Sequence, residues 1–334
     1  MTQPDPGALR LSAIQSRSDE LADAIRRTPC VAMTCPALGA GELFLKLEVF
    51  QHTGTFKARG ALSNARAIAP AQRAAGITAA SAGNHAIAAA WAARQCGLSA
   101  KVVMQNTANP FRVALARAQA DEVILRDPGA ATFGEAERLA RDEGRIFIHP
   151  FDGLDTILGT AGVGLELMQD VADLDAVVVS VGGGGLISGV AAAVKLSNPE
   201  CAVYGVEPVG ADSMSRSIAA GQPVTLDKVE TIADSLAPPM ALPMGHAFCA
   251  AFVDEIVTVT DDQICAGLVV LAEDAKLSVE PAAGAAMAGL MGPLRAKLQD
   301  KRVGLIVCGA NIDSAGFAAL LARGRDPVGG LRAG

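Results

Sequence analysis

Rings are scarce in this chain, with one tryptophan, one tyrosine and ten phenylalanines among 334 residues. A core must therefore be filled by Ala, Val, Leu and Ile, and such a core suits a parallel sheet buried by helices on both faces. Cations are short as well. Lys and Arg number 28 against 35 Asp and Glu, a net charge of -7, and no basic run interleaves with aromatics. The chain thus lacks the surface that tracks a nucleic-acid backbone, and no nucleic-acid partner is expected. The seven cysteines are odd in number and form no CxxC pair. Together with a start, MTQPDPGALRLSA, that has no charged-then-apolar leader, they predict reduced thiols and a cytoplasmic protein. One uncharged run approaches the length of a membrane span, residues 176–194, AVVVSVGGGGLISGVAAAV. Four glycines interrupt it, each disfavouring helix by about 1 kcal/mol, so it reads as a strand, a glycine turn and a second element. No membrane partner is expected.

What is present is an alternation. Short β-branched runs (KVVM at 101–104, EVIL at 122–125, RIFIHP at 145–150, AVVVSV at 176–181, AVYGVEP at 202–208, VGLIVCG at 303–309) are separated by Ala-rich, helix-length segments. Strands so spaced need crossover helices, which gives an α/β protein with parallel sheets and ligands at the carboxyl ends of the strands. At 334 residues two domains are the expectation. Residues 84–96, NHAIAAAWAARQC, predict a helix after the strand-like GITAAS, placing Ser81, Gly83 and Asn84 at a strand-to-helix junction with free backbone N–H groups. The proline-rich stretch 207–245 reads as a wrapping loop.

Chemistry enters with two motifs. The strand, glycine run and helix of VVVSVGGGGLISG turn backbone amides and a helix dipole toward an anion, a phosphate cup. No Lys-Ser or Lys-Thr follows and the strict GxGxxG spacing fails, which disfavours a nucleotide. In TGTFKARGA, Lys57 is a lone amine between an aromatic and Arg59; by itself it fits a solvated helix face equally well. An amine, a non-nucleotide phosphate cup and a polar loop at another strand end are the parts pyridoxal phosphate requires.

With these motifs the chain resembles the fold-type II pyridoxal-phosphate enzymes, of tryptophan synthase beta-like architecture, in the branch of serine and threonine dehydratases and serine racemase. TGTFKARGA resembles the lysine motif, SAGNHA the substrate loop, VGGGGLISG the phosphate loop, TIADSLA a linking motif and CGAN the turn at the ring nitrogen, in family order from residue 53 to residue 311. The resemblance implies Lys57 as the Schiff-base lysine and proton carrier, activated by burial and nearby cations such as Arg59. It places Phe56 beside the ring, Asn84 at the ring hydroxyl, Gly182, Gly183, Gly184, Gly185 and Leu186 around the phosphate, and Glu280 near the ring. Cys308 falls opposite the pyridine nitrogen, where a neutral partner favours prompt loss of a β-substituent. Ser81, Gly83, Asn84 and His85 would receive the substrate carboxylate, His85 being equally readable as a packed helix-start histidine. A divalent site for Mg or Ca is implied at Glu207 and the Ala211 carbonyl, although Ser213 stands where a carboxylate belongs.

The implied activity is a deaminating dehydration of a β-hydroxy amino acid, L-threonine or L-serine, to a 2-oxo acid and ammonia. Related racemases carry a Ser directly before the loop glycine; here it is Ala82, which holds no proton, so serine or aspartate racemisation is the weaker alternative. A cysteine-synthase-like replacement and a non-catalytic cofactor-binding protein are weaker still. Several positions depart from the pattern: Gln105, Asn109 and Arg112 after the substrate loop, GTAG at 159–162, Ser235 for Gly, and Ala310 for Gly. They read either as drift or as specificity for 3-hydroxyaspartate, with Arg112 meeting its second carboxylate. The resemblance also implies a small lobe, residues 71–150, set into a large lobe of residues 1–70 and 151–334, a homodimer, and a catabolic enzyme without an appended regulatory domain.

Overall fold

The computed structural model describes residues 5–333. Ten strands form two sheets: β1 (Cys30–Met33), β2 (Glu42–Leu47), β3 (Ile77–Ser81), β4 (Ala100–Gln105), β5 (Glu122–Arg126), β6 (Ile146–Phe147), β7 (Ala176–Ser180), β8 (Ala202–Pro208), β9 (Glu255–Val259) and β10 (Arg302–Val307). The larger sheet runs β1-β2-β10-β7-β8-β9 and the smaller β5-β4-β3-β6. Every pairing is parallel except that of β1 with β2, so the expected parallel sheets carry one antiparallel edge. The smaller sheet uses strands from residues 77 to 147 only, and the chain on both sides of it builds the larger.

The scarcity of rings shows in the packing. β7, AVVVS, is buried along its whole length, and the helices beside it are built from Ala, Gly and Val so that backbones approach closely. A Cβ added to Gly189 would lie 2.3 Å from Thr160 Oγ1, and one on Gly164 2.7 Å from the Val190 carbonyl, which is how helices Leu154–Asp170 and Gly185–Ser197 sit in contact. The uncharged run at 176–194 is β7, a turn and a buried helix, and among the described residues no helix is long and apolar enough to cross a membrane. The stretch 207–245 wraps as expected but encloses the α-helix Ser213–Ala220 and runs into helix Pro243–Phe252.

Candidate active site

The carboxyl ends of β7 and β10 and the loop after β3 converge on one cleft. Phe56, Lys57, Asn84, Gly182, Gly183, Gly184, Gly185, Leu186, Glu280 and Cys308 all line it. Three chain segments are stitched together beneath it. Phe56 N–H donates to the Cys308 carbonyl (3.0 Å), Ala310 N–H to the Gly54 carbonyl (3.0 Å), and Glu280 N–H to the Gly309 carbonyl (3.0 Å). The lysine motif, the CGAN turn and the start of helix Pro281–Met291 therefore form one rigid floor.

Lys57 is the first residue of helix Lys57–Ala67; its Nζ donates to the Pro150 carbonyl at 2.5 Å and lies 5.1 Å from the Phe56 ring centroid. Burial brings its pKa down to about 8, against the pull of Cys308 and Glu280, which favour the cation. The expected help from a nearby cation is corrected: Arg59 is 2% exposed and its guanidinium forks onto Glu48 and Glu166, away from the amine. Arg59 is neither a surface residue nor an activator of Lys57. It belongs to a buried ion cluster with Lys46, whose Nζ meets Glu166 at 2.7 Å.

Opposite the amine, burial and Glu280 push the Cys308 thiol up to about 12, and its sulfur accepts a long hydrogen bond from Ser180 Oγ (3.6 Å). The thiol is neutral at any physiological pH. The glycine loop caps helix Gly185–Ser197 without a side-chain capping bond, and Gly184 holds φ +90, a conformation side chains avoid. A Cβ on Gly183 would lie 2.2 Å from the Phe151 ring. The loop glycines line the cleft, and their N–H groups have no protein acceptor among the described residues.

The substrate loop is tied across the cleft. Ser81 Oγ accepts from Gly83 N–H (2.9 Å), Asn84 Nδ2 donates to Glu280 Oε2 (2.7 Å), and Asn84 Oδ1 accepts from Asn311 Nδ2 (2.8 Å). Glu280 does not cap its own helix with its side chain; Oε1 accepts from Asn311 N–H (2.9 Å) and Oε2 also from Arg112 (3.2 Å). Arg112 lies over Gly83, its Cδ 2.5 Å from the place of a Cβ there, and also donates to Asp234 (2.5 Å) and the Asn311 carbonyl (2.7 Å). The expectation that Arg112 stands free for a second substrate carboxylate is thus corrected, because protein carboxylates already hold it. His85 is set apart from the cleft: its Nε2 donates to the Ile148 carbonyl (2.8 Å), burial takes its pKa down to about 3, and it lines a second cavity behind Lys57 with His149. The packed reading of His85 is the one this geometry supports.

Glu207 is fully buried, and its oxygens accept from Met214 N–H (2.9 Å), Ser215 N–H (2.9 Å) and Ser215 Oγ (2.6 Å), closing the first turn of helix Ser213–Ala220. Glu207 thus already holds the start of this helix, and among the described residues no three His, Cys, Asp or Glu side chains gather for a metal. Ala211 is buried in the turn between.

Sequence reasoning missed Phe151, Ser180 and Leu236 in the lining. For Phe151 a signal existed, since an aromatic directly after the run RIFIHP is conspicuous in a chain so poor in rings. A family model described as pyridoxal-phosphate dependent enzyme matches residues 21–309. The chain belongs to this family. Among its relatives are phenylserine dehydratase of Ralstonia pickettii, 47% identical over 97% of this chain and all of that protein, and L-threonine ammonia-lyase of Thermotoga maritima, 34% identical over 91% and 76%. The structure of maize serine racemase superposes with a TM-score of 0.89 at 31% identity, covering 96% of this chain and 99% of that one. The residues present fit the family's cofactor. A buried amine of lowered pKa, a cradle that a side chain would fill, unpaired loop amides and a neutral thiol are on hand for pyridoxal phosphate.

Proposed function

We propose that this pyridoxal-phosphate dependent enzyme is a deaminating dehydratase of β-hydroxy amino acids with an uncharged β-substituent, L-threonine and L-serine first among them. When bound, pyridoxal phosphate withdraws electrons from the substrate Cα through its ring. The residues then divide the work. Lys57, with a pKa of about 8, takes the α-proton as a neutral amine and holds it at Nζ. The amides of the Gly182 to Gly185 loop hold the phosphate, the Ser81–Gly83–Asn84 turn orients the substrate carboxylate, and Cys308 donates no charge to the ring nitrogen. Loss of the α-proton and the β-hydroxyl releases water, and hydrolysis of the resulting enamine gives a 2-oxo acid and ammonia.

The observation that carries the substrate class is the charge balance beside the cleft, around Glu280 in its lining. Arg112 is shared between Asp234 and Glu280, and Asp313 accepts from Asn109 Nδ2 (2.6 Å) beside them. One cation facing three carboxylates disfavours a substrate with a second negative charge, which argues against 3-hydroxyaspartate. A second reading, 3-phenylserine, is favoured by the 47% identical relative and by the Phe56 and Phe151 rings in the lining. Ala82 offers no proton to the opposite face of Cα, so racemisation is not part of the reading. The lobe of residues 71–150 is taken to close over the large lobe, a division supported by the confinement of the smaller sheet to residues 77–147. Cytoplasmic residence rests on seven unpaired thiols, and a homodimer on the family resemblance.

The test is 2-oxo acid and ammonia release by the cofactor-loaded enzyme from L-threonine, L-serine, 3-phenylserine and 3-hydroxyaspartate in parallel. Release from one or more neutral substrates well above that from hydroxyaspartate is expected. Preference for hydroxyaspartate refutes the charge argument, and silence on all four refutes the dehydratase reading.

A further inference from the structure

Among the described residues, five side chains carry a buried polar atom without a partner: Thr53, Thr78, Asp152, Ser235 and Arg302. Of these, Ser235 alone lines the cofactor cleft. An unmet buried hydroxyl is rare in native proteins and points to a partner that arrives with a ligand. The position is itself a departure, since Ser235 replaces the glycine of the linking motif that TIADSLA resembles. Glycine there would leave nothing unsatisfied.

The placement of the hydroxyl narrows the partner. A Cβ added to Gly182 would lie 3.0 Å from the Ser235 carbonyl oxygen and 3.1 Å from Leu236 Cα, so the turn Asp234–Leu236 rests directly on the first glycine of the phosphate cradle. The turn is anchored on its other side by the Asp234 bond to Arg112 at 2.5 Å. Ser235 Oγ, buried and without a partner, therefore sits on a turn packed against a glycine loop whose amides have no protein acceptor among the described residues, and a hydroxyl donating to an anionic oxygen makes a stronger bond than one between neutral groups. We propose that Ser235 Oγ donates a hydrogen bond to a phosphate oxygen of the bound cofactor, adding a side-chain donor to a cradle otherwise built from backbone. The proposal rests on the cofactor reading and is independent of which amino acid is the substrate.

The full-length chain, stripped of cofactor, is titrated with pyridoxal phosphate and, separately, with pyridoxal, following the absorbance of the adduct with Lys57. Ser235→Ala is expected to weaken pyridoxal phosphate about tenfold, the scale of one hydrogen bond to a charged group, and to leave pyridoxal unchanged. Ser235→Thr keeps a hydroxyl and should hold most of the wild-type affinity. The pyridoxal arm also checks that each variant is folded with a reactive Lys57. Equal weakening toward both ligands, or no weakening toward either, overturns the proposal. Because neither arm requires turnover, absence of dehydratase activity leaves the result interpretable.

Discussion

Arg59→Met tests how helix Lys57–Ala67 is held. The guanidinium makes two bonds to Glu48 (Nε to Oε2 at 2.8 Å, Nη2 to Oε1 at 2.9 Å) and two to Glu166 (Nη1 to Oε1 at 2.7 Å, Nη2 to Oε2 at 2.9 Å). All three side chains are withdrawn from water, and Lys46, fully buried, is the remaining cation of the cluster. Methionine fills the volume but leaves two buried carboxylates facing one ammonium. Removing one partner of a buried pair costs about 3–5 kcal/mol, a large part of the roughly 5–15 kcal/mol that holds a domain folded. Urea unfolding followed by far-UV circular dichroism should show a midpoint lowered to match, with the slope against urea unchanged. Arg59→Lys should fall between, because a point charge cannot serve two carboxylates as the planar fork does. The concerted change Lys46→Met, Glu48→Gln, Arg59→Met and Glu166→Met, which also removes the ammonium that Glu166 holds, should recover much of the loss, since an apolar replacement of a whole buried cluster is near neutral. A loss below about 1 kcal/mol for Arg59→Met, the scale of a surface pair, would refute the claim that the cluster holds the lysine-bearing helix.

Two further outcomes follow from the site. Lys57 has its pKa lowered from 10.5 to about 8 by burial, so between those values the unfolded chain binds more protons than the folded one. The stability of the cofactor-free protein relative to Lys57→Met should then rise as pH increases from about 8 to about 10, and a fall over that window would contradict the burial argument. Gly183→Ala places a methyl 2.2 Å from the Phe151 ring, so it should weaken pyridoxal phosphate at least tenfold as the ring or loop gives way; pairing it with Phe151→Ala should recover affinity, and failure to do so would mean that the ring is not what glycine accommodates.

Legibility in the sequence followed the physics of each element. β4, β7, β8 and β10 were readable because both of their faces are largely buried, so they are written in β-branched residues, and β5 was readable from its EVIL run although it is an exposed edge. β2, ELFLKL, was not, because its buried Lys46 looks like a surface residue until Glu166, 120 positions later, is brought to it. β1 escaped notice as a partly exposed antiparallel edge of four residues. The cleft residues carried by contiguous motifs were legible for the opposite reason, since glycine runs and the lysine motif act through local backbone geometry. Arg112, Asp234 and Glu280 meet only through the fold, and nothing in their spacing said that the cation was already spent.

The larger sheet also sets an order of assembly. β10, which leads directly into Cys308, lies at its centre between β2 and β7, so residues 302–307 must insert between strands made 260 and 127 positions earlier. During synthesis β2 and β7 wait with unpaired edges until this late segment leaves the ribosome, and the lysine motif has no CGAN turn to pair with before then. The lysine motif and the CGAN turn therefore come together only when β10 joins the larger sheet, so the strand that completes the sheet also completes the site.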